Sequence, residues 1–180
     1  MKEKNPACTL IVVSVGTSEL QESCRQALAM GADRAVIIET PHALTPLPMA
    51  KILRQVAQEE KIDLIIMGKQ AIDFDHNQTG QMLAALLDWP QACFVSSIEL
   101  KSDYLTAVRE VDSGLETLKL TLPCVITTDL RLNQPRFAAL PDIIKAKSKP
   151  MDIKSISDFH CAPRTEHQTI EHYQTPPARV

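Results

Sequence analysis

Short apolar runs alternate with segments of helical periodicity in the first half of the sequence. The runs cover residues 9–16, 35–39 and 63–68, and each has the length and continuous apolar character of a strand buried on both faces. A helical segment follows each run, the last of them over Thr79–Leu87. Strands that alternate with helices form parallel βαβ units with right-handed crossovers. The sequence therefore predicts an α/β fold with a mostly parallel sheet and flanking helices.

The helix boundaries are predicted from local signals. Ser18 is placed to cap a first helix over residues 20–30, which Gly31 ends. After a proline-rich link, residues 49–61 show a second amphipathic helical pattern. A short helix is also predicted at residues 140–147.

The pattern changes in the second half of the sequence, where strand-like segments follow one another. They cover residues 94–100, 104–111, 115–122 and 124–130. Turn signals at residues 102–103 and 112–114 separate the first three, and the four segments together predict a meander that closes one side of the sheet. After Pro150 the periodicity fades, and we assign residues 151–180 to an extended C-terminal arm.

Composition excludes several classes of function. The 180 residues are 44% apolar, which is enough for a core, and the formal net charge of -3 disfavours nucleic acid and acidic membrane surfaces as partners. No apolar run approaches the length of a membrane span, and the N-terminus shows no signal-peptide pattern. Five cysteines without a CxxC pair indicate a reducing compartment and mostly buried thiols.

A dense polar loop, GKQAIDFDHNQTG, follows the third apolar run. It leaves the carboxyl end of a predicted parallel strand, where open α/β sheets bind ligands. The next helix begins near Asn77, Gln78 and Thr79, whose side chains and free N–H groups favour an anion such as a phosphate. Gly68 and Gly80 allow the backbone to approach a ligand closely. The loop therefore suits a nucleotide phosphate.

Two alternatives remain open for this loop. Asp75, Asn77 or Thr79 caps the helix without binding a ligand, which satisfies the same free N–H groups. Asp73, Asp75 and His76 also offer oxygen and nitrogen donors to a metal ion, although their spacing matches no strong metal motif. The sequence contains no GxGxxG, GxxxxGKS, GxxxxGKT or GxSxG motif, and we assign no catalytic acid, base or nucleophile.

Five segments carry a specific resemblance to a known family. They are ALAMGADRA, GKQAIDFDHNQTGQM, LDWPQ, VREVDSGLETLKLTLPCVIT and DLRLNQPRFAALPDIIKAK. In this order they closely resemble the electron transfer flavoprotein β-subunit family, from about residue 9 to residue 150. The resemblance implies an adenine-nucleotide α-hydrolase-like fold, with a nucleotide-binding domain at residues 1–150 and the arm at residues 151–180.

The resemblance also implies cofactors and partners. The chain would form a heterodimer with an α subunit that holds most of one FAD, and it would bind a structural AMP itself. It would be an electron carrier rather than an enzyme. Its electrons would come from acyl-CoA dehydrogenases of fatty acid oxidation and other flavin dehydrogenases, and would pass to a membrane quinone oxidoreductase.

Two sets of site residues follow from the resemblance. The AMP would contact the end of the first apolar run and the polar loop, at Val15, Gly68, Lys69, Gln70, Ala71, Ile72, Asp73, Asp75, Asn77, Gln78 and Thr79. Leu140 corresponds to a leucine that enters an apolar pocket of acyl-CoA dehydrogenases, and Lys145 and Lys147 would steer acidic partners. The alternatives are that Leu140 packs beneath the following helix and that both lysines form a solvated face.

The sequence also departs from the family pattern. Phe74 replaces a commonly polar residue, Ser113 an acidic residue or glycine, and Ser148 a lysine. Family members begin with a strand and a helix that precede this sequence, and we expect the chain to be shortened at both ends. A flavin-bifurcating relative that binds NADH and a stand-alone nucleotide-binding module are the alternative functions. The expected location is the cytoplasm of a bacterium or the mitochondrial matrix of a eukaryote.

Overall fold

The computed structural model describes residues 2, 6–72, 74–160, 172, 174 and 175. The strands of this part are β1 (Ile11–Gly16), β2 (Arg34–Glu39), β3 (Leu64–Gly68), β4 (Gln91–Leu100), β5 (Tyr104–Val111), β6 (Gly114–Thr121), β7 (Cys124–Thr128) and β8 (Met151–Ser155). The helices are α1 (Leu20–Ala29), α2 (Pro46–Glu59), α3 (Thr79–Leu87) and α4 (Leu140–Ala146). The predicted α/β class is confirmed, although the strands lie in two sheets.

The first sheet consists of β1, β2 and β8, all parallel, with β2 in the centre. Its register pairs Val15 with Ile38 and Ile37 with Ile153. Ile37 packs in a cluster with α1, whereas Val36 and Ile38 pack in a cluster with α2. Because successive residues of a strand point to opposite faces, the continuous apolar run of β2 buries both faces of this sheet.

The second sheet has five strands in the order β3-β7-β4-β5-β6. β7 is parallel to both β3 and β4, whereas β4, β5 and β6 form an antiparallel meander. The prediction that the fourth strand-like segment continues the meander is wrong, because β7 lies between β3 and β4. Residues 124–127 are all buried, and a strand of this kind needs a neighbour on each side.

Strand β8 was not predicted, because residues 151–155 were assigned to the C-terminal arm. Its side chains are half-buried or exposed, so the segment carries little apolar periodicity, and backbone pairing with β2 is what holds it. A short 3₁₀ helix, Ile156–Asp158, follows, and Phe159 is buried against the α2 face. The start of the arm is therefore part of the first sheet, while residues 161–171, 173 and 176–180 lie outside the described residues. The domain boundary at residue 150 stays a prediction.

The predicted start of α1 is confirmed, but its cap and the start of α2 differ from the prediction. α1 begins at Leu20 after Glu19, and the prediction that Ser18 caps it with its hydroxyl group is wrong. The backbone oxygen of Ser18 instead accepts a hydrogen bond from the Gln21 N–H at 3.2 Å. α2 begins earlier than predicted, at Pro46, because prolines fit the first turn of a helix, where the backbone N–H groups have no helical partner.

Candidate functional site

The polar loop, residues 68–79, leaves the second sheet at the carboxyl ends of β3 and β7. The Lys69 N–H donates to the Thr128 oxygen at 3.1 Å, and the Thr128 hydroxyl group donates to the Met67 oxygen at 3.3 Å. These bonds continue the β3–β7 pairing into the first residue of the loop. The predicted position of the loop at the end of a parallel strand is therefore confirmed.

The middle of the loop is folded back on itself. The Asp75 N–H donates to the Ala71 oxygen at 2.9 Å, and the Gln70 side chain donates to the Asp75 carboxylate. Phe74 and His76 stack with 5.9 Å between ring centroids. Asp75 has a φ of 55°, in the left-handed region that aspartate tolerates better than most residues.

Helix α3 begins at Thr79, as predicted, with Gln78 in the N-cap position. Within the described residues, no side chain caps this helix, so the alternative that Asp75, Asn77 or Thr79 serves only as a cap has no support. The Asn77 side-chain oxygen accepts a bond from the Gln81 amide at 3.4 Å instead. The N–H groups of the first turn therefore have no side-chain acceptor among the described residues, and together with the positive end of the helix dipole they favour an anion.

Gln81 adds a second polar feature at the start of α3. Its Oε1 is buried and, in the part of the chain that the structure describes, has no hydrogen-bond partner. Buried polar atoms are satisfied in most native structures, so an orphaned acceptor indicates a partner outside the described residues. A ligand hydroxyl or amino group would satisfy it.

The two glycines of the loop region have different structural roles. A Cβ atom built on Gly80 would lie 2.3 Å from the Thr127 Cγ2 and 3.2 Å from the Met67 sulfur, so α3 lies directly on β7 and β3 at this point. A Cβ atom on Gly68 would meet no described atom within 4 Å. Gly80 is thus required for close packing of α3 on the second sheet, a role that was not predicted from the sequence.

Lys69 belongs to the loop, but its ammonium group is directed to the end of β7. Its Nζ lies 2.5 Å from the Asp129 carboxylate and 5.1 Å from the centroid of the Phe94 ring. Asp129 also accepts a bond from the Arg131 Nε at 3.0 Å, and Arg131 pairs with Glu110. Hydrogen bonds from Lys69 first, and then from Arg131, hold the pKa of the Asp129 carboxyl group well below its usual value.

These charged residues line a cleft of about 620 Å³ that the sequence did not indicate. Its walls are formed by Lys69, Phe94, Arg109, Glu110, Val111, Asp112 and Asp129. A bulge in β4 shapes one wall, because the register with β7 shifts between Ala92 and Val95. Phe94 has a φ of 60° there, and its N–H donates to the Thr127 hydroxyl group at 3.3 Å. The alternation of apolar and polar residues in this strand-like segment does not indicate such a bulge.

The structure places Val15 in the other sheet from the loop. It lies in β1, half-buried, and packs against the α2 face of that sheet. Its predicted contact with AMP therefore stays a prediction. Asp73, which belongs to the same predicted set, lies outside the described residues.

The segment predicted to dock a partner is exposed. Leu140 is 69% exposed at the first position of α4, so the alternative that it packs beneath the helix is wrong. Ile143 and Ile144 are also exposed, and Lys145 and Lys147 face solvent. The segment presents apolar side chains next to a basic stretch.

Neither a cluster of metal ligands nor a membrane-spanning helix occurs among the described residues. Among the described residues, no group of three or more histidine, cysteine, aspartate or glutamate side chains is close enough to hold a metal ion. No described helix is both long enough and apolar enough to cross a membrane.

Comparison with known proteins gives the family. Residues 1–158 match the family described as the electron transfer flavoprotein domain. The pig electron transfer flavoprotein subunit beta is 48% identical over 184 aligned residues, which cover 100% of this chain and 72% of the pig protein. The chain belongs to the electron transfer flavoprotein β-subunit family.

Other members of the electron transfer flavoprotein β-subunit family are comparably similar. The subunit beta of Bradyrhizobium diazoefficiens is 52% identical over 159 residues, or 88% of this chain and 64% of the bacterial protein. The mitochondrial subunit beta of Arabidopsis thaliana is 51% identical over 178 residues, or 98% of this chain and 71% of the plant protein. The chain thus spans about two thirds to three quarters of the length of these relatives. The resemblance stated from its sequence motifs is confirmed.

Proposed function

We propose that the chain is the β subunit of a heterodimeric electron transfer flavoprotein whose α subunit holds most of one FAD. Identity of about 50% to β subunits from animals, plants and bacteria carries this proposal. The heterodimer would accept electrons from acyl-CoA dehydrogenases and other flavin dehydrogenases and pass them to a quinone oxidoreductase. It would work in the bacterial cytoplasm or the mitochondrial matrix. FAD supplies the redox chemistry when bound, and the protein positions it.

The polar loop would hold a structural AMP in this assembly. The phosphate would lie at the start of α3, near Asn77, Gln78 and Thr79, where the first-turn N–H groups lack a side-chain cap among the described residues. The orphaned Gln81 oxygen supports a ligand with a hydroxyl or amino group nearby. Lys69 is engaged by Asp129, so backbone N–H groups and the helix dipole would hold the phosphate.

Co-expression with an α subunit tests the heterodimer. The purified pair should show the visible absorbance of a flavoprotein and release AMP on acid denaturation. The chain alone, mixed with excess FAD and desalted, should remain colourless. A stoichiometric yellow protein from the chain alone would contradict the proposal, and release of NADH in place of AMP would identify a bifurcating relative.

The AMP site has a matched pair of threonine variants. Thr79 begins α3 at the proposed phosphate site, and Thr45 occupies the N-cap position of a different helix, α2. Loss of a charge-assisted hydrogen bond costs about 1.5–3 kcal/mol, so Thr79→Ala should weaken AMP retention roughly tenfold to a hundredfold. Thr45→Ala should retain AMP as the unchanged pair does. Equal retention by the two variants would count against this site.

The docking role of Leu140 has a matched control in Leu115, which is 73% exposed at the start of β6. An apolar side chain that enters a partner's pocket contributes about 2 kcal/mol or more, or about thirtyfold in affinity. Leu140→Ala should therefore slow electron acceptance from an acyl-CoA dehydrogenase, and Leu115→Ala should not. Both variants should keep their flavin, AMP and melting temperature. Equal electron acceptance by both would remove Leu140 from the interface.

A further inference from the structure

The exposed helix α4 is too short to be stable by itself. It has seven residues, Leu140–Ala146, and Ala146 is its buried residue. Isolated helices of this length are marginal in water because nucleation is costly, so tertiary contacts must fix the segment. Its outer side chains cannot provide them, since Leu140 and Ile144 are 69% and 60% exposed. The contacts that hold α4 therefore lie at its two ends.

Both ends of the segment are bonded to the C-terminal end of α1. Before α4, the Arg136 guanidinium donates to the Met30 oxygen at 2.6 Å. After α4, the Lys149 Nζ donates to the Leu28 oxygen at 2.9 Å and to the Ala32 oxygen at 2.5 Å. α1 ends at residue 29, so these oxygens belong to the last turn and its exit, where carbonyl groups lack the usual partner four residues further on, although the Leu28 oxygen also accepts the Gly31 N–H at 3.3 Å. Cations are favoured at this negative end of the helix dipole.

A third basic side chain lies on α1 and bonds to the C-terminal end of the α4 segment. Arg25, on α1, donates through Nη1 to the Ala146 oxygen at 2.8 Å and to the Lys149 oxygen at 2.9 Å. It thereby adds a second donor to the Ala146 oxygen, which also accepts a hydrogen bond from the Lys149 N–H at 3.3 Å. Each helix end is held by a basic side chain of the other segment, and these bonds join residues more than a hundred positions apart in the sequence.

We infer that Arg25, Arg136 and Lys149 are positioning residues that hold residues 136–149 in the conformation that docks a dehydrogenase. The inference rests on the proposed docking role of Leu140. None of the three cations needs to touch the partner. Their effect is to order the segment before the encounter, so that less conformational entropy is lost on binding.

Lys149 offers the sharpest test, because Lys149→Met removes the donor and retains the length of the side chain. In hydrogen exchange of the α–β pair without a partner, the amides of residues 140–149 should exchange faster in Lys149→Met. Lys149→Arg should restore protection, since a guanidinium group reaches the same carbonyl oxygens. Lys51→Met, which changes an exposed lysine of α2, is the matched control and should leave exchange unchanged.

Steady-state kinetics with a reduced acyl-CoA dehydrogenase provides the second readout. Lys149→Met should raise KM about tenfold, with kcat, flavin content and AMP content unchanged. A residue that only stabilised the fold would lower the amount of active protein without this selective change in KM. If the cations act through Leu140, the double variant with Leu140→Ala should raise KM by less than the product of the two single effects.

The outcomes separate the two proposals. If Leu140→Ala raises KM and Lys149→Met does not, docking stands and the positioning role is overturned. Unchanged exchange in Lys149→Met also overturns the positioning role. If Leu140→Ala leaves KM unchanged, the docking proposal fails and the positioning role fails with it, whatever the exchange data show.

Discussion

Replacement of Gly80 by alanine tests the close contact between α3 and the second sheet. In an exposed helix, glycine to alanine stabilises by about 1 kcal/mol, because alanine has the highest helix propensity. At Gly80 the added methyl group would lie 2.3 Å from the Thr127 Cγ2. Carbon atoms attract each other at about 3.5–4.0 Å, so this approach is strongly repulsive. The contact should outweigh the propensity gain.

The magnitude depends on whether Thr127 can move. Its side chain is 2% exposed, and β-branching restricts its rotation. Its hydroxyl group also accepts the hydrogen bond from the Phe94 N–H at the bulge, so rotation would break that bond. Overpacking of a core costs about 1–3 kcal/mol. Because Thr127 is held in place, the cost should lie near the upper end of this range, and after the propensity gain of about 1 kcal/mol Gly80→Ala should lose about 2 kcal/mol, or about 4–8 °C in melting temperature for a chain of this size.

Urea or thermal unfolding of three variants checks this expectation. Gly68→Ala is the matched control, since its Cβ meets no described atom within 4 Å and should change stability by less than about 0.5 kcal/mol. Thr127→Ser removes the clashing methyl group and keeps the hydroxyl group, so the double variant with Gly80→Ala should recover most of the loss. The reasoning is refuted if Gly80→Ala is as stable as Gly68→Ala, or if the serine brings no recovery.

Two further predictions concern charge. Burial raises the pKa of the Cys124 thiol from its ordinary value of 9.0 to about 11, so the unfolded chain releases this proton first and the free energy of unfolding should fall as pH rises between these values. In an alkaline denaturation series, Cys124→Ala should reduce this fall, and an equal dependence on pH in both proteins would exclude the thiol as its cause. Lys145→Gln combined with Lys147→Gln should lower the second-order rate of reduction by an acyl-CoA dehydrogenase at low salt and leave it almost unchanged at high salt, because screened charges no longer steer the encounter. A reduction rate that is lowered equally at low and high salt would contradict a steering role.

The sequence predicted those elements whose signals are local. Thr79–Leu87 was predicted with both boundaries correct, because a polar loop, a glycine and an apolar run coincide there. β2 was recognised since a strand buried on both faces is continuously apolar. The exposure of Leu140 was correctly expected from the resemblance, whereas its apolar character alone favoured burial.

The features that the sequence did not predict depend on contacts between residues far apart in the sequence. β7 has the local appearance of one more meander strand, and its position between β3 and β4 depends on pairing with residues far earlier in the sequence. β8 is short and half-exposed, so its assignment needs knowledge of the free edge of β2. Lys69 was assigned to the nucleotide from the resemblance, and the sequence did not indicate its ion pair with Asp129 at the end of the neighbouring strand β7. No local pattern encodes these pairings.

The position of β2 between β1 and β8 has a consequence for folding in time. β1 and β2 are near neighbours in the sequence and can pair early, but Ile37 meets Ile153 only after the residues between them are available. Closing so long a loop is slow, and until then one edge of β2, whose residues 35–38 are apolar, has no partner strand. A nascent chain would carry this open edge until β8 is synthesised, which favours association with chaperones or with other chains. In pulse-labelled refolding, we expect the amides of β8 to gain protection after those of the β4–β5–β6 meander.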